Sequence, residues 1–240
     1  MQFYHKHPAI PCPKPLTRAT LRCRVSRFSV EVDLDGAPTL AHLPNSGRLT
    51  ELLVRGAQVW LAPQQPGVRK TAWDVALVEY GGGLVSVDAR IPNSIVEQAI
   101  VGGLILDLPP GFTVRREVAV GHSRLDFAVD SPIGRWYLEV KSVTLVEAER
   151  ALFPDAPTVR GARHLDELSR LRLDGFGAMV VFVVQRPDAT EFAPNAPADP
   201  AFARALSAAN RVGVEVRAYR CSVSLDAIAL GDRIPVLIDP

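Results

Sequence analysis

Residues Arg124 to Ser142 read RLDFAVDSPIGRWYLEVKS, two strand-like runs joined by a turn. In the first run Leu125, Phe127 and Val129 alternate with Arg124, Asp126 and Ala128, which predicts one apolar and one partly polar face. In the second, Trp136, Leu138 and Val140 alternate with Tyr137, Glu139 and Lys141, so Glu139 and Lys141 project from one face, a single strand repeat apart. Asp130, Ser131, Pro132, Ile133 and Gly134 supply the turn, proline fixing φ and glycine admitting a positive one. If Asp130 faces Arg135, counting back along the hairpin sets Asp126 opposite Glu139, with Cα atoms about 5 Å apart.

Like charges directly opposed are unfavourable, and a divalent cation that prefers oxygen ligands, magnesium or manganese, relieves them. Asp126 and Glu139 are thus candidate metal ligands and catalytic residues, with Lys141 as a catalytic ammonium that orients a water or stabilises charge on a phosphate. The competing reading is a solvated stripe carrying a surface ion pair of little worth. Of 27 Lys plus Arg, only Lys6, Lys14, Lys70 and Lys141 are lysine, so Lys141 stands alone after Lys70 in a chain that otherwise uses arginine. That suggests a role a planar guanidinium cannot fill.

An Asp followed by Glu-x-Lys on the next strand resembles the PD-(D/E)xK nuclease core. SRLDF from Ser123, LEVKSVTL from Leu138, FPDAPTVRGARHLDEL from Phe153 and LPNSGRLTELL from Leu43 together resemble the sugar fermentation stimulation protein family, SfsA, from Pro15 to about Leu237. The resemblance implies an N-terminal OB-like, nucleic-acid-binding barrel over residues 1–88, including an N-terminal tail, and a nuclease-like α/β domain over 89–240. It implies DNA, single- or double-stranded, as partner and Mg2+ or Mn2+ as cofactor. Two functions follow from it: a metal-dependent deoxyribonuclease, or a non-enzymatic DNA-binding regulator of sugar-utilisation genes of the maltose type that uses the nuclease fold as a scaffold. RNA in place of DNA, and a homodimer, are both left open.

Outward from the hairpin, the 240 residues are 48% hydrophobic and 22% charged, ordinary globular composition with room for two small domains. The first 15 residues lack the apolar core of a signal peptide and no apolar run approaches a membrane span, which predicts a soluble, cytoplasmic protein. Cys12, Cys23 and Cys221 form no CxxC, so neither a disulfide framework nor a cysteine zinc site is indicated. Net charge is only +1, yet Lys14, Arg18, Arg22, Arg24 and Arg27 arrive with no acid among them. Arg18, Thr20, Arg22, Arg24 and Ser26 alternate with Ala19, Leu21, Cys23 and Val25: a cationic face for a phosphate backbone, or a charged edge strand that resists aggregation.

Further short strands are predicted at Phe28–Leu34, Thr39–Leu43, Gln58–Ala62, Trp73–Tyr80 and Leu84–Asp88, the count of an OB-type barrel. Aromatics are sparse, and Trp60, Trp73 and Tyr80 read as core before stacking platforms. In Pro44–Leu49 the turn residues Asn45 and Ser46, with Arg48, offer backbone amides to a phosphate, although such turns are common. After Pro92 a short helix runs to Gly102. Its Glu97 is a secondary acid or a solvated side chain, and Gln98 stands where the resembling family tends to place its acid. Glu117, on a strand from Phe112 to Val120, is a second auxiliary acid or a surface glutamate. Thr158 caps a helix to about Leu173, with Leu165, Leu168 and Leu171 facing the core and Arg160, Arg163, His164 and Glu167 on the other side. The resemblance brings Arg160, Arg163 and His164 toward nucleic acid, against the ordinary alternative of a structural histidine. A buried strand at Ala178–Val184, a helix opened by Asp199-Pro200 and a strand at Val214–Tyr219 complete an α/β pattern.

Overall fold

The computed structural model describes residues 7–64, 71–121 and 123–238; Lys6 and Lys70 fall outside them. The first strand, β1 (Ala9–Pro11), leaves the barrel altogether and pairs antiparallel with the last strand of the chain. The barrel follows: β2 (Thr17–Ser26), β3 (Ser29–Leu34), β4 (Ala37–His42), β5 (Gln58–Pro63), β6 (Trp73–Tyr80) and β7 (Gly83–Ser86). Its order is β4-β3-β2-β5-β6-β7, and a bridge between His42 and Asp74 joins β4 to β6 and closes the sheet on itself. Leu21, Val30, Val32, Leu43, Leu52, Leu61, Val75 and Val78 fill it.

Alternation along β2 holds only as far as Leu21. A register shift between Leu21 and Cys23 turns Cys23 and Val25 out to solvent, so the predicted single cationic face is broken by a bulge. Trp60 and Trp73 are half-buried, Trp60 donating from Nε1 to Glu79, while Tyr80 is partly exposed.

The second domain runs α1 (Ile91–Val101), β8 (Thr113–Val120), β9 (Ser123–Ser131), β10 (Gly134–Val143), β11 (Val146–Glu147), β12 (Arg150–Phe153), α2 (Val159–Leu173), β13 (Gly177–Val184), β14 (Glu191–Pro194), α3 (Pro200–Arg211), β15 (Glu215–Val223) and β16 (Ala227–Ile234). Its main sheet has the order β1-β16-β15-β13-β10-β9-β8, with β10, β13 and β15 parallel. Helix α1 covers one face through Ile95, Val96, Ala99 and Ile100. Helices α2 and α3 cover the other through Leu165, Leu168, Phe202 and Leu206. Both helices begin on side-chain caps: Thr158 Oγ1 accepts from Gly161 N at 3.0 Å and Asp199 Oδ1 from Phe202 N at 3.0 Å.

The hairpin has the expected register, Arg135 opposite Asp130, around a two-residue loop. The predicted division into an apolar and a polar face fails, because β9 and β10 lie inside a sheet covered on both sides. Phe127, Val129, Leu138 and Val140 pack under α1; Leu125, Ala128 and Tyr137 pack under α2 and α3. Among the described residues no helix is long and apolar enough to cross a membrane.

The domains are joined by polar as well as apolar contacts. Ser86 of β7 donates its amide to the Gln185 carbonyl at 3.0 Å and its hydroxyl to Gln185 Oε1 at 2.9 Å, and Gln185 Nε2 donates to Ser142 Oγ at 2.9 Å. Arg186, almost wholly buried, lays its guanidinium 4.9 Å from the ring centre of Tyr80. Leu77 of the barrel shares a core with Ile95, Phe127 and Leu138.

Candidate active site

Strand β10 lies near the middle of the sheet between β9 and β13, so its side chains have little freedom and little water. Glu139 is buried, and its Oε1 accepts from Lys141 Nζ at 2.6 Å and from His164 Nδ1 of α2. His164 Nε2 in turn accepts from Arg160 Nε at 3.3 Å, which assigns the proton to Nδ1. Oε2 of Glu139 is buried with no hydrogen-bond partner among the described residues. A buried oxygen of that kind costs about 1–3 kcal/mol, more for a charged group, unless something meets it.

Asp126 reaches the same place from β9. The ladder between β9 and β10 ends at Phe127 and Leu138, one pair short of Asp126 and Glu139. The side chain takes over: Asp126 Oδ2 accepts from Val140 N at 2.7 Å, and Oδ1 accepts from Asn93 Nδ2 of α1 at 2.8 Å. Burial, and then the charge of Glu139, push the Asp126 carboxyl up to about 6 against the Val140 amide, Asn93 and Lys141. Burial also pushes Glu139 upward, but hydrogen bonding to His164 and the charge of Lys141 outweigh it and leave Glu139 below its ordinary value. Two carboxylates whose environments drive them apart, one bare oxygen and a nearby ammonium make a site that suits a small hard cation. Among the described residues no cluster of three or more His, Cys, Asp and Glu is arranged for a metal, so Asp126 and Glu139 would hold it with water or substrate oxygens.

The other predicted site residues divide. Glu97 pairs with Arg116 at 3.2 Å, and Glu117 is exposed at φ +53°; the structure brings neither into hydrogen bonding with Asp126, Glu139 or Lys141. Arg18 pairs with Glu79 at 3.0 Å, and Arg22 lies between Glu31 at 3.5 Å and Asp33 at 3.3 Å, acids that arrive from neighbouring strands. Arg24 donates to the carbonyls of Ser26, Arg27 and Arg48, stapling the β2–β3 turn to the Pro44–Leu49 turn. The predicted basic stripe is therefore largely spent within the fold. Arg163 is exposed on α2 and has no carboxylate partner among the described residues.

Asn45 and Ser46 come to the Lys141 side of the site. With Gly47, Lys141, Asp155 and Thr158 they line a cleft of about 260 Å3 between the barrel and the second domain, which Asp126 and Glu139 do not line. The turn's amides hold a carboxylate of this chain: Asp155 Oδ2 accepts from Arg48 N at 2.6 Å and lies 3.4 Å from Leu49 N, while Asn45 Oδ1 accepts from Gly47 N at 2.8 Å. A Cβ on Gly47 would stand 2.6 Å from Asp155 Oδ2, and Gly47 has no positive φ, so close approach alone requires the glycine.

The whole chain compares closely with known proteins. A family model described as "SfsA N-terminal OB domain" matches residues 23–87, and one described as "Sugar fermentation stimulation protein RE domain" matches residues 90–227. The chain belongs to the SfsA family. The SfsA homolog of Chloroflexus aurantiacus is 44% identical over 92% of this chain and 86% of its own, and that of Moorella thermoacetica 44% over 94% and 97%. A solved structure of Pyrococcus furiosus SfsA in complex with Ca2+ superposes with a TM-score of 0.88 at 32% identity, covering 97% of this chain and 99% of the other. The OB barrel and the α/β domain are thus those of SfsA proteins.

Two residues of the SfsA site escape a reading of the sequence alone. Asn93 stands in the first turn of α1, where an Asn-Ser pair reads only as a helix start. Asp155 sits in a Pro-Asp-Ala-Pro segment that reads as a plain turn.

Proposed function

We propose that this SfsA protein is a metal-dependent DNA phosphodiesterase whose site is built from Asp126, Glu139 and Lys141. The observation that carries the reading is Glu139, with Oε1 held by Lys141 and His164, Oε2 buried and bare among the described residues, and its charge close enough to act on Asp126. Binding of Ca2+ by the Pyrococcus protein supports a hard-cation site in the family. Bound between Asp126 and Glu139, magnesium or manganese would supply Lewis acidity to a phosphate oxygen and to water. The residues do the rest. His164 and Asn93 fix the two carboxylates in place, so little reorganisation is needed when charge develops. Lys141, only 11% exposed at its side chain, lines the cleft and holds its ammonium on Glu139 Oε1, from where it would orient a nucleophile and offset charge on the phosphate. Asn45 and Ser46 form the opposite wall and position the substrate.

Incubation with labelled single- and double-stranded DNA in magnesium or manganese tests this directly. Cleavage is expected in the wild type and absent in Glu139→Ala. A wild type that binds DNA and leaves it intact in either metal would make the protein a DNA-binding regulator.

A further inference from the structure

The cleft over Lys141 does not end at the barrel wall. A second cavity, of about 520 Å3, meets it at Arg27, Asn45, Ser46 and Ala89 and continues across the barrel to Phe28, His42 and Arg90. Phe28 is 47% exposed, the only phenylalanine among the exposed large hydrophobic residues described. It is not loosely placed. Its carbonyl accepts from Leu43 N and His42 Nδ1, both at 2.9 Å, and its amide lies 3.3 Å from Ser26 Oγ. The His42 ring stands beside it, centroids 6.4 Å apart and planes inclined by 33°.

Charge along this path is uneven in an informative way. Arg90 is committed to Asp74 and Asp88, and Asp155 to the amides of the turn. Arg27, by contrast, has no carboxylate partner among the described residues; its guanidinium lies 5.4 Å from the Phe28 ring centre. A solvent-facing ring on an anchored backbone, with a guanidinium over it that no described carboxylate answers, suits a ligand that presents a flat apolar face and an anion together in each unit. A nucleotide does so. An acidic peptide would answer the arginine and leave the ring in water. A duplex would offer phosphates, but its bases are sealed in the stack and cannot lie on a side chain without being flipped out.

We propose that this groove binds single-stranded nucleic acid, one base lying on Phe28 with its phosphate at Arg27, the strand then passing Asn45 and Ser46 toward Lys141. The direction of the strand's path rests on the phosphodiesterase reading of Lys141; the Phe28 platform does not. Binding is measured in EDTA by anisotropy of a labelled oligothymidylate of about 12 nucleotides, within the span such folds cover, and of a duplex of similar length. Phe28→Ala is expected to lower single-strand affinity by roughly tenfold or more, the worth of one stacked base, and to leave duplex affinity little changed. Phe28→Tyr should keep single-strand binding. Unchanged single-strand affinity in Phe28→Ala, or an equal loss for the duplex, overturns the platform. If the wild type binds the oligonucleotide through Phe28 but never cleaves it when manganese is added, the platform stands and the phosphodiesterase reading fails. If it cleaves while Phe28→Ala binds normally, the reverse holds, and no single-strand binding by the wild type overturns the platform.

Discussion

Glu139 shows what a single residue can be asked to do. One of its oxygens is saturated by Lys141 and His164 while the other meets nothing among the described residues, so the side chain is oriented by the protein and completed from outside. Lys141 then separates catalysis from cation binding, because a protonated amine is no ligand. Lys141→Ala is expected to cut turnover by roughly a hundredfold or more while calorimetric metal affinity stays close to wild type. Lys141→Arg should rescue poorly, since a planar fork directs its donors differently. Asp126 sets a pH dependence of its own. Its folded value of about 6 exceeds the ordinary 3.8, so the folded metal-free protein binds the proton more tightly than the unfolded chain does. Its contribution is therefore fully present at pH below about 4 and is lost as pH rises through about 6. Thermal melts in EDTA are expected to show this loss between those limits, and Asp126→Ala should remove that part of the profile. Glu139 and Lys141 share a face as a strand's period of two predicts, whereas the period breaks at Asp126, with Leu125 and Phe127 on opposite sides of the sheet, and its approach to Glu139 was legible only from the hairpin register. Asn93 was not, because nothing in a helix start announces which strand it will face.

At the scale of elements, local signals carried most of the fold. Thr158 and Asp199 announced their helices through caps, and Thr158→Ala should lower stability by about 1 kcal/mol in a urea titration. Arg24 corrects the reading of β2 as a row of phosphate ligands. Because its guanidinium joins three carbonyls across two turns, Arg24→Ala should loosen both. Faster amide exchange at residues 26–28 and 48–49 would check this. The strands β1, β11, β12, β14 and β16 were not predicted. Most are short, and several owe their form to a partner distant in the chain, as β1 does to β16 and β12 to β14, while β11 is a two-residue strand held by β12 alone. Strand propensity carries no information about such pairings. The bulge in β2 escaped for a related reason, since alternation was read through a position where the chain adds a residue.

For the whole molecule, the cleft exists only where two domains meet. Gln185 is fully buried and answers Ser86 on one side and Ser142 on the other, next to Lys141. Gln185→Leu keeps most of the volume but leaves both hydroxyls without that partner, at a cost of about 1–3 kcal/mol for each that stays unsatisfied. Calorimetry should show a lower melting temperature for this variant while the wild type unfolds in one transition. Family membership was legible because motifs from both domains fall in one order along the chain; how the domains dock was not, since Gln185 and Arg186 follow β13 without any local signal.

The contact between Gly47 and Asp155 binds the two domains in another sense. The glycine is there because a carboxylate occupies the space a methyl would need, and the carboxylate is there because the turn's amides point at it. Neither residue is free to vary alone. In descendants of this chain, a lineage that replaces Asp155 with a smaller residue would lose the tighter of the two contacts on position 47, leaving Asn45 Oδ1 at 3.0 Å, and small substitutions there should follow. The two positions, one in each domain, should therefore leave a paired record of change that neither domain's history would show by itself.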